Sequence, residues 1–237
     1  MGQNAAGAAN IDAQVEMLAD SGAHVLVLQE ITVTAQGNQP ALFEAKLEAL
    51  TGQQWQGVWA PAPWSTTTTQ EGNLILTTLP IASSSTFTVD TAPWDSGWFD
   101  TKRSAARLAV VVNDGTVNVF GTHLALNATH RQSQLDALQA WIDGFAAPRI
   151  IGGDFNMVPG ETAYIDMAAM FTDAWTSLAG SDQGFTMDAR NSAGNQPGRI
   201  DYWWQEKADS QALGSEVWVV KTTRSDHHIV VLDVQVK

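Results

Sequence analysis

Five places along the chain set a chemically versatile side chain among apolar neighbours, each at the edge of a β-like run: Glu30, His123, the pair Asp154 and Asn156, Asp201, and the pair Asp226 and His227. One such residue is an ordinary strand-end charge; five in one chain are harder to dismiss. Carboxylates crowded into a partly buried cleft repel one another, and a bound divalent cation relieves that repulsion. An oxygen-rich set without cysteine suits a hard cation. Mg²⁺ is the first choice because it takes one or two carboxylates and keeps its waters, with Mn²⁺ or Ca²⁺ as substitutes. Histidines and a carboxamide then supply donors to phosphate oxygens, whose charge must be stabilised during in-line displacement.

The residues with the most definite spacing lie in Ile150-Ile151-Gly152-Gly153-Asp154-Phe155-Asn156. A short apolar run gives way to two glycines that allow a tight turn. Side chains alternate across a strand, so Asp154 and Asn156 leave on the same side with Phe155 turned away. A carboxylate and a carboxamide held together at a strand end can position water, metal or phosphate. Alone, the stretch reads equally well as a decorated turn whose Asp and Asn satisfy loop backbone.

The elements that must present these residues follow from periodicity. Ile11, Val15 and Leu18 mark a helix begun at Asn10 and stopped at Gly22. His24 to Glu30 is a nearly continuous apolar run, as expected of a strand covered on both faces. Pro40 to Leu50 reads as a second helix, with Gly52 beyond its end. Ser65 to Thr69 reads as a polar loop, and Gly72 to Thr78 as a strand closed by Leu79-Pro80. Arg107–Val112 and Thr116–Phe120 read as a hairpin across Asn113-Asp114-Gly115, running on to His123. A long helix is expected from Thr129 to Phe145, with Leu135, Leu138 and Ile142 inward, and a short one ending at Met170. Near the C-terminus, Ile200, Tyr202 and Trp204 share one strand face and Asp201 and Trp203 the other; a last strand runs from Ile229 to Val236. Helices and strands interleaved with a hairpin predict a mixed α/β layered fold.

Composition sets the outer bounds. At 237 residues the chain suits one domain spanning 1–237. A formal net charge of −13 argues against loose, charge-driven coating of nucleic acid, though not against a local positive groove. Without cysteine, disulfides, thiolate zinc sites and a cysteine nucleophile are excluded. There is no apolar run long enough to span a membrane, and no basic head or apolar core at Met1 to mark a leader. Few lysines and many Trp and Thr lean toward a secreted or periplasmic protein, expected as a monomer.

Leu28-Gln29-Glu30, Gly72-Asn73-Leu74-Ile75-Leu76 with Leu79-Pro80, Thr122-His123-Leu124, Gly153-Asp154-Phe155-Asn156, Ile200-Asp201-Tyr202 and Ser225-Asp226-His227 occur in the order seen in the endonuclease/exonuclease/phosphatase superfamily, the DNase I-like group. The resemblance runs from about Asn10 to the C-terminus. It implies a four-layer α/β/β/α sandwich with its site at one end of two sheets. It also implies roles: Glu30 and Asp226 on the metal, Asp154 orienting or deprotonating the attacking water, and Asn156 holding water and phosphate. His123 would donate to a phosphate oxygen, Asp201 would orient a histidine, and His227, set by Asp226, would act as general acid/base or transition-state donor. The chain resembles the family less at its start, where a central strand carrying a metal-site Asn is expected. Asn4 lacks such a strand, so the first central strand is expected to be missing or truncated.

The function this resemblance implies is a Mg²⁺-dependent phosphoester hydrolase, read as a nuclease-type phosphodiesterase with DNA among its candidate substrates. A small-molecule phosphatase, a sphingomyelinase-like enzyme and an inactive phosphate-binding module are the alternatives; a Trp-rich carbohydrate-binding domain would leave the carboxylate–histidine set unexplained. Arg131 and Gln134, on the helix after His123, read as structural pairing and solvation. One of Arg103 and Arg107 is a candidate for phosphate, and His228 reads as structural. Trp94-Asp95-Ser96-Gly97-Trp98-Phe99 is an aromatic loop suited to a lipid surface or a base.

Overall fold

A computed structural model describes residues 10–62, 69–90, 102–179, 182–188, 198–207 and 212–237. The first elements are α1 (Ile11–Asp20), β1 (Val25–Thr34), β2 (Gly37–Asn38), α2 (Gln39–Thr51), β3 (Gln56–Pro61) and β4 (Thr69–Thr77). Then come β5 (Ile81–Asp90), β6 (Lys102–Val112), β7 (Gly115–His123), α3 (Ala128–Ile142), β8 (Arg149–Asp154) and α4 (Thr162–Met170). The chain continues through β9 (Thr172–Asp173), α5 (Ala174–Leu178), β10 (Asp201–Gln205), β11 (Ala212–Val220) and β12 (Ile229–Val236).

Among the described residues three sheets form, in the orders β2-β1-β4-β3, β5-β6-β7-β8-β10-β9 and β11-β12. Each helix pair buries its apolar stripe on the outer face of one large sheet. Val15 and Leu18 of α1 with Phe43 and Leu47 of α2 cover Leu26, Leu28, Leu74 and Leu76. Leu135, Leu138 and Ile142 of α3 with Met167 of α4 cover Phe120, Ile151, Tyr202 and Trp204. The inner faces meet through Ala60 and Ile75 against Ala106, Leu108, Val119 and Ile150. The result is the four-layer α/β/β/α sandwich, and strands buried on both faces explain the unbroken apolar runs in the sequence.

Local differences have physical causes. Strand β1 continues to Thr34, with a break in register between Leu28 and Ile31, so Glu30 sits in a bulge rather than at a strand end. Its backbone there is left-handed, with φ 57°. Strand β6 begins at Lys102, five residues before the expected Arg107. Strand β5 was hidden by its polar Ser83-Ser84-Ser85 run, which an edge strand bonded to β6 alone tolerates. Asn10 precedes α1 without a side-chain cap, whereas Gly52 closes α2 at φ 67° as expected. Asn4, most of the Ser65–Thr69 run and the Trp94–Phe99 loop lie outside the described residues.

Among the described residues, β12 pairs only with β11, and Val25–Leu28 pair only with β4. A cleft between them is lined by the successive residues Val25–Gln29 and Ile229–Leu232. Successive residues on one wall mean that backbone edges, not side-chain faces, look into it. Among the described residues no helix is long and apolar enough to cross a membrane.

Candidate active site

Sheet register assembles the site. Parallel pairing of β7 with β8 sets His123 opposite Asp154, and antiparallel pairing of β8 with β10 sets Asp154 opposite Asp201. Three neighbouring strands therefore present a His–Asp–Asp row at one end of the sheet. Both glycines before Asp154 are required by this packing. A Cβ on Gly153, at φ 146°, would lie 2.1 Å from the Thr122 carbonyl oxygen, and one on Gly152 would lie 2.4 Å from the Trp203 ring. His227 arrives from the segment before β12. Met187 bridges both His227 and Gly198, fastening that segment beside the start of β10. The buried Thr186 hydroxyl accepts the backbone N–H groups of Ile200 and Asp201, each at 3.1 Å, and so holds the entry to β10.

The side chains converge on Asp154. Its Oδ1 accepts the Asn156 backbone N–H at 2.8 Å. Its Oδ2 lies 3.4 Å from His123 Nε2 and 3.9 Å from His227 Nε2. His227 Nδ1 meets Asp201 Oδ2 at 2.8 Å. Asn156 takes a left-handed backbone, φ 49°, and its Nδ2 donates to the Leu124 carbonyl at 2.9 Å. Asp154 and His123 are 5% and 8% exposed, so the carboxylate is held between two imidazoles with little water to screen it.

This environment drives the three groups apart. Burial, then the charges of Asp201 and Glu30, lift the Asp154 carboxyl to about 7 against the pull of His227 and of the Asn156 N–H. Burial pulls the His227 imidazole down, but the charge and hydrogen bond of Asp201, then the charges of Asp154 and Asp226, raise it to about 10. Burial, then the positive charges of Arg103 and His227, push His123 well below the ordinary imidazole value. At neutral pH the site holds a neutral imidazole, a charged one and a carboxyl poised to exchange a proton. Such divergence is the mark of acid–base assignment within one cleft.

Atoms of Asp154, Asp201 and His227 able to ligate a metal lie within 4.8 Å of one another. Two of these three residues, Asp201 and His227, are already hydrogen-bonded to each other at 2.8 Å. Glu30 is exposed at the β1 bulge and adds its charge to both Asp154 and Glu71. Asp226 is exposed and hydrogen-bonded by the Ser225 hydroxyl at 3.4 Å, and Asp201 is the carboxylate hydrogen-bonded to His227 at 2.8 Å.

Sequence reasoning overlooked Glu71, whose carboxyl is raised by burial and by Glu30; a charge opening the buried run of β4 was the available signal. It also overlooked Thr186, for which the sequence carries none. Arg107 turns away from the site, donating to Asn118 at 2.7 Å and stacking over Phe145, whereas Arg103 stays close enough to influence both His123 and Glu71. His228 is buried, with its Nδ1 accepting the Thr222 N–H and its Nε2 3.3 Å from Asp188. Arg131 and Gln134, expected to be partly solvated, are 4% and 0% exposed.

A family model described as the Endonuclease/Exonuclease/phosphatase family matches residues 2–227. No curated protein matches the chain significantly. Solved structures with a similar fold include an endonuclease/exonuclease/phosphatase family protein from Leptotrichia buccalis, at 16% identity and TM-score 0.78, covering 95% of this chain and 92% of that one. A mannosyl-6-phosphatase from Bacteroides thetaiotaomicron has 13% identity and TM-score 0.68, with 95% and 90% covered. The human Nocturnin catalytic domain with bound sulfate anion has 20% identity and TM-score 0.71, with 96% and 87% covered.

Proposed function

The chain belongs to the endonuclease/exonuclease/phosphatase family, and from that premise we propose that it is a divalent-metal-dependent phosphoester hydrolase, with phosphodiesters as its first substrate class. The observation that carries this reading is the position of Asp154 Oδ2, 3.4 Å from one imidazole and 3.9 Å from a second that is itself bonded to Asp201. Asp154 takes a proton from the attacking water. His227, charged at neutral pH, donates to the phosphoryl group as its negative charge grows or to the departing oxygen. His123, kept neutral by burial, donates an N–H to a non-bridging oxygen, and the Asn156 carboxamide steadies the water. Asp201 fixes the imidazole of His227 and sustains its charge.

The donor set fits a hard divalent cation. Glu30, Glu71, Asp154 and Asp201 bring mutually repelling carboxylates to one end of the sheets, and Asp154 is raised by two of its neighbours. Glu30 is the residue best suited to hold the ion, from the open side of the cleft; Asp226, exposed and turned to Ser225, is the weaker candidate. When bound, such an ion would polarise the phosphoryl oxygens and favour hydroxide formation. Among the similar folds, one is a mannosyl-6-phosphatase and one binds a sulfate anion, both tied to tetrahedral oxyanions.

A second substrate reading, a small phosphomonoester, draws on charge. Lys46, Arg131, Arg149 and Arg199 are committed to ion pairs with Asp12, Glu161, Glu206 and Asp173, which withdraws four of the chain's 12 Lys and Arg from any track for a long polyanion. The two substrate readings separate in one assay: bis-p-nitrophenyl phosphate, p-nitrophenyl phosphate, plasmid DNA and sphingomyelin, each with Mg²⁺ and with EDTA. Mg²⁺-dependent cleavage that favours the diesters is expected. Preference for the monoester selects the second reading, and activity that survives EDTA, or none on any substrate, overturns the proposal.

A further inference from the structure

The roles assigned above leave two buried polar side chains of α3 unused. Arg131 and Gln134 lie one turn apart on a helix face otherwise made of Leu135, Leu138 and Ile142. A buried guanidinium and a buried carboxamide are costly unless their bonding groups are satisfied. Both bond to one short segment, the loop of residues 124–127 that joins His123 to α3. Gln134 Oε1 accepts the Ala125 N–H at 2.8 Å. Arg131 Nη1 donates to the Leu126 carbonyl at 2.8 Å and to that of Ala125 at 3.3 Å. Its Nη2 meets Glu161 Oε2 at 2.6 Å, on the segment that follows β8.

The same loop touches the site through its other bonds. The Leu124 N–H donates to the Asp154 carbonyl at 2.9 Å. The Leu124 carbonyl accepts from Asn156 Nδ2, also at 2.9 Å, which commits one end of that carboxamide and sets its orientation. Asn156 is meanwhile held at φ 49°, in the left-handed region that asparagine tolerates better than most side chains. Hydrogen bonds joined by the loop backbone therefore run from α3 through Leu126, Ala125 and Leu124 to the Asp154 backbone carbonyl and the Asn156 carboxamide.

We propose that Arg131 and Gln134 are positioning residues, which fix the Asn156 carboxamide and the Asp154 backbone through the loop between His123 and α3. Neither touches the reacting atoms. Their effect on rate rests on the phosphoester-hydrolase reading, but their effect on Asn156 geometry does not.

The test compares the full chain with Gln134→Met, Gln134→Glu, Arg131→Met, Arg131→Lys and a control in the same helix, Gln139→Met. Two readouts are taken: the NMR signals of the Asn156 side-chain amide in metal-free protein, and kcat and KM with Mg²⁺ on the nitrophenyl substrate that the unmodified chain cleaves. Both Met variants should shift the Asn156 amide signals and lower kcat at least about tenfold with KM within about twofold, as expected for a small misplacement of a reacting group. Gln134→Glu, which keeps an acceptor for the Ala125 N–H, should recover most of the rate, and Gln139→Met should change neither readout. Should a Met variant fail to fold, Arg131→Lys carries the test, with a shifted Asn156 signal and a kcat loss of about threefold or more expected. Unmoved Asn156 signals, or an unchanged kcat in variants that fold, overturn the proposal. An unmodified chain inactive on every substrate would sink the hydrolase reading, while the amide signals would still decide the positioning role.

Discussion

Replacing Asp201 by asparagine tests the charge logic of the site most directly, because it removes a charge and keeps a side chain of nearly the same shape. His227 is raised to about 10 from the ordinary imidazole value of about 6.5, against a burial penalty that would lower it. At about 1.4 kcal/mol per pH unit, the site prefers imidazolium over imidazole by roughly 5 kcal/mol. Asp201 is the largest favourable contributor and, at 2.8 Å, the carboxylate in direct contact. Its neutralisation should lower the His227 titration by about two pH units, from about 10 to about 8. Imidazole NMR in EDTA reads this directly, and the alkaline limb of kcat should move with it. The stability effect has a definite sign. A histidine raised in the folded state contributes stability that is complete below its unfolded value and lost as pH rises through the folded one. Asp201→Asn should therefore cost most near about pH 6 and almost nothing above about pH 10. A His227 midpoint within about half a pH unit of the unmodified chain would refute the reasoning.

Other expectations follow from the same geometry. Asp154→Asn should lower kcat at least about a hundredfold with the fold intact, and His227→Ala well over tenfold; either variant with near-full rate in a steady-state assay would remove that residue from its role. In EDTA, Asp154 should make the protein less stable as pH rises from about 4 to about 7, since a carboxyl raised in the folded state favours the protonated form; thermal melts across that range, repeated with Mg²⁺, should show the loss reversed by the ion. Gly153→Ala should cost about 3 kcal/mol, roughly 10 °C in Tm, because a Cβ would meet the Thr122 carbonyl oxygen in a conformation that L side chains rarely adopt. A melting temperature within about 2 °C of the unmodified chain would contradict the packing of β7 on β8.

The sequence made the layers legible because burial on both faces leaves long apolar runs, and those runs located β1, β4, β7, β8 and β10 within a few residues. It hid β5, whose polar Ser83-Ser84-Ser85 run lies on an edge strand, and gave no sign of the bulge at Glu30 in β1. The same division holds for the site. Residues proposed to act through their side chains, such as His123, Asp154 and Asp201, stand out as polar interruptions in apolar strands. Residues that hold backbone do not, because Thr186, Gln134 and Arg131 are distinguished only by which N–H or carbonyl they reach, and local pattern carries no trace of that.

Register is the step that joins the two levels. A one-residue slip of β8 against β7 would turn Asp154 to the face that Phe155 now takes and place Phe155 opposite His123. The slip is opposed at the inner face by Gly152, which leaves room for the Trp203 ring, and at the turn by Gly153, whose missing Cβ lets the Thr122 carbonyl approach. Phe155 resists it from the other side, packed edge-on against Tyr202 and Trp204 in the core beneath α3 and α4. The two glycines and the phenylalanine around Asp154 are therefore as necessary to its chemistry as its carboxylate, since they set the strand alignment that places it between His123 and Asp201.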